Sequence, residues 1–211
     1  MTSPSSGATV TVHNKTSLTC SAEAVPEPSY TWLQEIPGTG EVRKRSHSSV
    51  LVIDDVWYAD QGQYRCVASN NIGNMVREQQ SEPISIDVTG APQITSEVSD
   101  VTGTMSQEVE IVAEFCSDPG PIRNTWNWDN IVLPSGNTYG DGKYQAEMKT
   151  LPDKPDCYQS SLIISNLASD DMRSYKLNVE NIHGSDTMDI KLIIQGTHII
   201  NYQLCFTHDI M

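Results

Sequence analysis

The feature that most constrains this chain is that its halves repeat. Val50-Leu51-Val52-Ile53 through Asp60, Tyr64 and Cys66 overlays Ser161-Leu162-Ile163-Ile164 through Asp171, Tyr175 and Leu177 at a constant offset of 111. Nearer the start of each half, Cys20 to Trp32 is twelve positions and Cys116 to Trp128 is also twelve, at an offset of 96. The two offsets predict 15 extra residues in the second half, around Gly140-Asp141-Gly142 and Pro152 to Cys157, read as a hairpin or long loop. A duplication within 211 residues calls for two small units rather than one large core.

Both units read as short strands. Apolar residues alternate at Val10 and Val12, at Leu18 and Cys20, along Val50 to Ile53, at Tyr64, Cys66 and Ala68, and at Ile84, Ile86 and Val88. Turn material separates them at Pro26 to Ser29, Pro37 to Gly40 and Asn70 to Asn74. The pattern restarts after Gly90-Ala91-Pro92 and closes with Ile190, Leu192 and Ile194, and no segment keeps apolar residues at a 3.6-residue period over three turns. The expected fold class is all-β, two tandem sandwiches, with units at 1–89 and 91–195 and a disordered tail at 196–211. The junction at Val88 to Pro92 is short, so a semi-rigid rod is expected.

Charge narrows the function classes. Thirteen Lys+Arg against 27 Asp+Glu leave a net charge of −14, which repels nucleic-acid phosphates and anionic membranes. No stretch approaches the roughly 18 to 20 apolar residues of a membrane span. Residues 1–7 lack the basic flank and apolar run of a secretion signal. The cysteines point the other way: Cys20, Cys66, Cys116, Cys157 and Cys205 are widely spaced, contain no C-x-x-C pair, and suit an oxidising compartment. Met1 is therefore not expected to be the natural start, and a signal and further domains are expected upstream. Among the five histidines no motif places one beside a nucleophile, and no G-x-S-x-G or phosphate loop is present, so no enzyme, cofactor or small-molecule substrate is expected. Calcium lacks its D-x-[DN]-x-[DN]-G loop, and no metal is expected.

Cys20, Trp32 and Asp60-Gln61-Gly62-Gln63-Tyr64-Arg65-Cys66 form a Cys…Trp…Asp-x-Gly-x-Tyr-x-Cys pattern that resembles immunoglobulin domains. The resemblance implies a Cys20–Cys66 bridge between facing sheets, Trp32 packed on it, and Tyr64 anchoring the corner beside Asp60. Residues 91–195 resemble the same family with departures. Asp171 and Tyr175 are kept and Trp128 takes the tryptophan's place, but Leu177 stands where the second Cys belongs, so the usual bridge cannot form. Cys116 then either bridges to Cys157 by a non-standard route or is a buried free thiol.

The runs Tyr-Arg-Cys-Val-Ala-Ser-Asn-Asn-Ile-Gly and Tyr-Lys-Leu-Asn-Val-Glu-Asn-Ile-His-Gly look like intermediate-set domains of invertebrate neural cell-adhesion and axon-guidance receptors. That likeness implies an extracellular adhesion or recognition module on the outer side of the plasma membrane, part of a longer glycoprotein. Its partner would be a protein, the same or a related cell-surface molecule, and membrane attachment would come only through flanking sequence. Asn14-Lys15-Thr16 is the one glycosylation acceptor. Arg43-Lys44-Arg45 is either a docking patch for an acidic partner or a solvated edge that discourages strand pairing. Trp57 and Tyr58 are read as capping the sandwich end. Two other readings remain open: an intracellular muscle-type structural module, and a secreted immune-recognition or growth-factor-receptor fragment.

Overall fold

The computed structural model describes residues 7–73 and 75–195. Unit one contains β1 (Ala8–Thr11), β2 (Thr16–Thr19), β3 (Ser29–Glu35), β4 (Val42–Ser46), β5 (Val50–Ile53), a single 3-10 turn (Tyr58–Asp60), β6 (Gly62–Ile72), β7 (Met75–Gln80) and β8 (Ile84–Thr89). Unit two contains β9 (Gln93–Ile94), β10 (Asp100–Thr104), β11 (Val109–Cys116), β12 (Arg123–Trp128), β13 (Ile131–Pro134), β14 (Thr138–Tyr139), β15 (Tyr144–Thr150), β16 (Cys157–Ile164), a 3-10 turn (Ser169–Asp171), β17 (Ser174–Asn181) and β18 (Gly184–Gln195). The expected tail and Cys205 lie outside the described residues.

In unit one, β1-β8-β6-β3-β4, with β7 on the far half of β6, shares a core with the two-stranded sheet β2-β5. In unit two, β10-β18-β17-β12-β13 shares a core with β14-β15-β16-β11-β9. Alternation places the side chains: along β5, Leu51 and Ile53 are buried while Val50 and Val52 face out. Strand β6 runs through Asn70 and Asn71 to Ile72, which the sequence reading assigned to a turn; both asparagines pair with β7.

Strand register corrects one overlay. Leu18 pairs with Leu51, and Ile111 pairs with Leu162, so two residues further on the counterpart of Cys20 is Ala113 rather than Cys116. Trp32 pairs with Cys66 and Trp126 with Leu177, so the counterpart of Trp32 is Trp126 rather than Trp128. The error has a physical origin. Trp126 and Trp128 stand two apart on β12, point to the same face and are both buried, so burial periodicity does not tell them apart. The offset at the tryptophan is thus 94 and the insertion 17 residues. Most of it forms β14 and β15, and β15 pairs with β16 from Tyr144↔Ile164 to Thr150↔Tyr158. The expected hairpin is present, with β14 and β15 antiparallel around Gly140 to Lys143, and β15 goes on as an added strand beside β16 for which unit one has no equivalent among the described residues.

Candidate functional site

Two disulfides are present, and they do different things. Cys20 and Cys66 join the two sheets of unit one, with Sγ–Sγ 2.09 Å and Cα–Cα 6.3 Å. Cys116 and Cys157 are directly opposed on neighbouring strands of one sheet, with Cα–Cα 3.9 Å, so this bridge ties β11 to β16 and does not cross the sandwich. At the crossing position unit two has the fully buried pair Ala113 and Leu177. Its polar substitute lies beside Trp126. The indole Nε1 donates to Ser160 Oγ (3.0 Å), Ser160 Oγ donates to Asn124 Oδ1 (2.9 Å), and Ser135 Oγ donates to the same oxygen. In unit one Trp32 Nε1 has no hydrogen-bond partner.

The corner residues repeat across the units. Tyr64 donates its hydroxyl to the Asp60 carbonyl (2.7 Å), and Tyr175 does the same to Asp171 (3.0 Å). Each aspartate also accepts the backbone N–H three residues before it, from Trp57 (2.9 Å) and Ala168 (2.8 Å). Their cations differ. Arg45 Nη2 reaches Asp60 at 2.6 Å, whereas Lys143 Nζ reaches Asp171 at 2.7 Å and the Tyr144 hydroxyl donates to the same carboxylate. Burial raises the Asp171 pKa, but the hydrogen bonds from Lys143, Tyr144 and Ala168 outweigh it and hold the carboxyl below its ordinary value. Burial, then the bond to Asp171, pushes Tyr144 up to about 12. Trp128 is buried beside this corner, 4.8 Å from the Tyr144 ring and 5.5 Å from Tyr175.

Tyr58 caps the end of unit one by bonding to unit two. Its hydroxyl donates to the Gly90 carbonyl (3.2 Å) and accepts the Asp118 N–H (2.8 Å), while its own N–H donates to Gln93 Oε1 (3.2 Å). Asn181 Nδ2 donates to the Gly90 carbonyl (2.7 Å) and to Pro119 O (3.0 Å), and Gln61 Nε2 reaches Asp156 Oδ2 (3.1 Å). Cys116 and Cys157 pack into the apolar cluster of unit one, so the second disulfide belongs to this junction. Gly38, at φ +79°, is required there: a Cβ would lie 2.3 Å from the Asp153 carbonyl oxygen. Trp57 is not a cap. It is 46% exposed, bonded to Asp55 Oδ2 and edge-on to His13.

Asn14 is exposed on the turn between β1 and β2, held by its backbone to Thr11 and Val56. The basic triplet is divided by strand alternation. Arg45 is turned in to Asp60, Arg43 pairs with Glu41, and Lys44 is exposed on edge strand β4. Among the described residues no group of three His, Cys, Asp or Glu side chains could hold a metal ion, and no helix is long and apolar enough to cross a membrane.

Comparisons agree with this geometry. Residues 1–70 match a model of the immunoglobulin domain. The chain is similar to the cell adhesion molecule Dscam1 of Drosophila melanogaster, 26% identical over 88% of this chain and 9% of that one. It is similar to the muscle M-line assembly protein unc-89 of Caenorhabditis elegans, 27% identical over 89% of this chain and 2% of the relative. It thus spans under a tenth of either relative. A solved complex of Dpr2 Ig1-Ig2 with DIP-Theta Ig1-Ig3 superposes on 90% of this chain and 62% of the matched one, with TM-score 0.50 and 22% identity. The domain match over residues 1–70, the paired sandwiches and the corner residues repeated in each agree with the resemblance to immunoglobulin domains.

Proposed function

We propose that the chain is an extracellular recognition module, a two-domain piece of a longer cell-surface protein that binds another immunoglobulin-superfamily protein at cell contacts. The observation that carries this reading is the pair of disulfides. Two bridges within one chain suit the secretory pathway, and disulfides are rare in the cytosol. Adhesion-type and muscle-type relatives match at nearly the same identity, so likeness alone does not choose between them. The exposed acceptor Asn14 supports the extracellular choice, with glycosylation as the further expectation. The role is binding, with avidity supplied by several copies meeting at once.

The test is secretion of the chain behind a heterologous signal, followed by intact-mass measurement before and after reduction and by aggregation of beads coated with it. The recognition reading expects both bridges to be oxidised and the beads either to aggregate or to bind cells displaying related ectodomains. Folded, functional protein with all thiols free in reducing cytosol would favour the muscle-type reading instead.

A further inference from the structure

The two units finish the sheets that hold β5 and β16 differently. In unit two β16 lies between β11 and β15, so Ile163 has Glu110 on one side and Gln145 on the other. Its counterpart in unit one, at the offset of 111, is Val52 on β5, which has Ser17 of β2 on one side and, among the described residues, no strand on the other. Val52 is 45% exposed and Val50 38%. A strand edge open to water ordinarily carries charge or proline that discourages pairing, as β4 does with Arg43 and Lys44 and β7 with Arg77 and Glu78. Strand β5, Val50-Leu51-Val52-Ile53, carries neither.

The register determines which backbone groups face that edge. The Cys20 N–H donates to the Ser49 carbonyl (2.8 Å), so along the antiparallel β2–β5 ladder the pairs Cys20/Ser49, Leu18/Leu51 and Thr16/Ile53 exchange hydrogen bonds. Val50 and Val52 therefore turn their N–H and C=O groups away from β2. Ser48 Oγ accepts the Val50 N–H (3.2 Å). The Val52 N–H, the Val52 carbonyl and the Val50 carbonyl have no partner among the described residues. The outward side chains of β5 are these two valines, whereas those of β2 are Ser17 and Thr19, so the apolar side of this small sheet lies at the β5 edge.

We infer that β5 pairs with β5 of a second copy of this chain, antiparallel and centred on Val52, so that the two small sheets join into one. In this register Val52 faces Val52, Leu51 faces Ile53 and Val50 faces Asp54. Each Val52 N–H meets the other Val52 carbonyl, and each Asp54 N–H meets the other Val50 carbonyl, while the Val50 N–H stays with Ser48. All three open groups of each copy find partners this way, and the two central valines cover one another. Charge selects the direction. Each Asp54 is paired with Lys15 at 2.5 Å, and the antiparallel arrangement keeps the two Asp54 residues about 13 Å apart along the strands, beyond the Debye length of about 8 Å at physiological salt. A parallel copy would set them side by side. The two-fold closes the assembly at a dimer. So short an edge buries far less than the roughly 1,200–2,000 Å² of a stable complex, so the pairing is weak in solution and gains strength where many copies meet. It names the partner for the recognition reading above and rests on that reading for its role at cell contacts.

The test is sedimentation equilibrium of the full chain, with Cys205 alkylated to prevent intermolecular sulfur bonds, over about 10 μM to 1 mM, the range of weak complexes. A reversible monomer–dimer equilibrium is expected. It should tighten as salt rises from about 50 to about 500 mM, because each copy carries a net charge of −14. Val52→Lys changes an exposed side chain, so it should fold, and it should weaken the dimer by about tenfold or more by opposing like charges at the two-fold. Thr19→Lys adds the same charge to the same outer face away from the edge and should leave the dimer unchanged. In a mixture of labelled and unlabelled chain, a nuclear Overhauser contact between Leu51 Hα of one copy and Ile53 Hα of the other is expected. A monomer throughout, no effect of Val52→Lys, equal weakening by both lysines, weakening with salt, or contacts of another register overturns the pairing. Coated beads separate the two levels. Beads that bind cells displaying related ectodomains, made from a chain that stays monomeric, sink the pairing and leave recognition standing. A chain that dimerises through β5 on beads that neither aggregate nor bind cells sinks the recognition reading and leaves the pairing.

Discussion

Trp32 and Trp126 hold equivalent places opposite Cys66 and Leu177, and their indoles have opposite fates. Trp126 donates to Ser160 at the head of a buried chain of hydrogen bonds, while Trp32 Nε1 donates to nothing and packs in a disulfide-bridged core. Trp126→Phe should therefore cost more than Trp32→Phe, by about 1–3 kcal/mol in urea unfolding, because it strands Ser160 in addition to shrinking the ring. Equal losses would mean the chain has no net worth. Asp171 gives a second expectation. Its folded pKa lies below the unfolded value of about 3.9, so it stabilises above that value, and the contribution is lost as pH falls through the folded pKa. Asp171→Asn should flatten the acid limb of stability below about pH 4 in a series of urea unfolding curves, and an unchanged limb would remove Asp171 from the account. The Cys20–Cys66 bridge spans 46 residues, so Cys20→Ala should destabilise unit one by about 4 kcal/mol on the chain-entropy model, read in the same way.

Strand periodicity made the all-β class, the duplication and both corners legible, because Asp60 with Tyr64 and Asp171 with Tyr175 keep one offset. It failed where two answers shared a face. Trp126 and Trp128 are both inward on β12, so equal Cys-to-Trp spacing picked the wrong one and shortened the insertion by two residues. Strand β15 was hidden for another reason. Tyr144–Thr150 buries only Tyr144 and Ala146, and the rest of its length gives no apolar alternation to read. The Cys116–Cys157 bridge depended on that strand pattern, since only the β11–β16 register opposes the two residues. A consequence follows for β16. The bridge fixes its first residue against the last of β11, so Cys157→Ser should cost up to about 4 kcal/mol and should raise amide exchange at Leu151 to Gln159 ahead of the rest of unit two. Uniform loss of protection across both sheets would show instead that the bridge stabilises the unit only globally.

The two sandwiches are joined through polar groups that each unit leaves open at its end. Tyr58 brings a buried ring from unit one, and its hydroxyl meets backbone groups of Gly90 and Asp118. Asn181 reaches the same Gly90 carbonyl from unit two, and Gln61 bonds to Asp156. Several bonds across one joint restrain its rotation more than a single hydrogen bond would. Gly38 adds a steric condition, since any side chain there meets the Asp153 backbone. A fixed angle between the units matters for a recognition module, because it sets which faces of neighbouring molecules can meet at once and so sets the avidity. The double variant Gly38→Ala with Tyr58→Phe should keep both cores, since neither change removes a bond within a sheet, yet it should free the joint. In weakly aligned solution, one alignment tensor is expected to fit the residual dipolar couplings of both units in the wild type. The variant should need two tensors of different magnitude. A single shared tensor in the variant would show that the short Val88 to Pro92 connection alone holds the angle, and that the Tyr58 bonds are incidental to it.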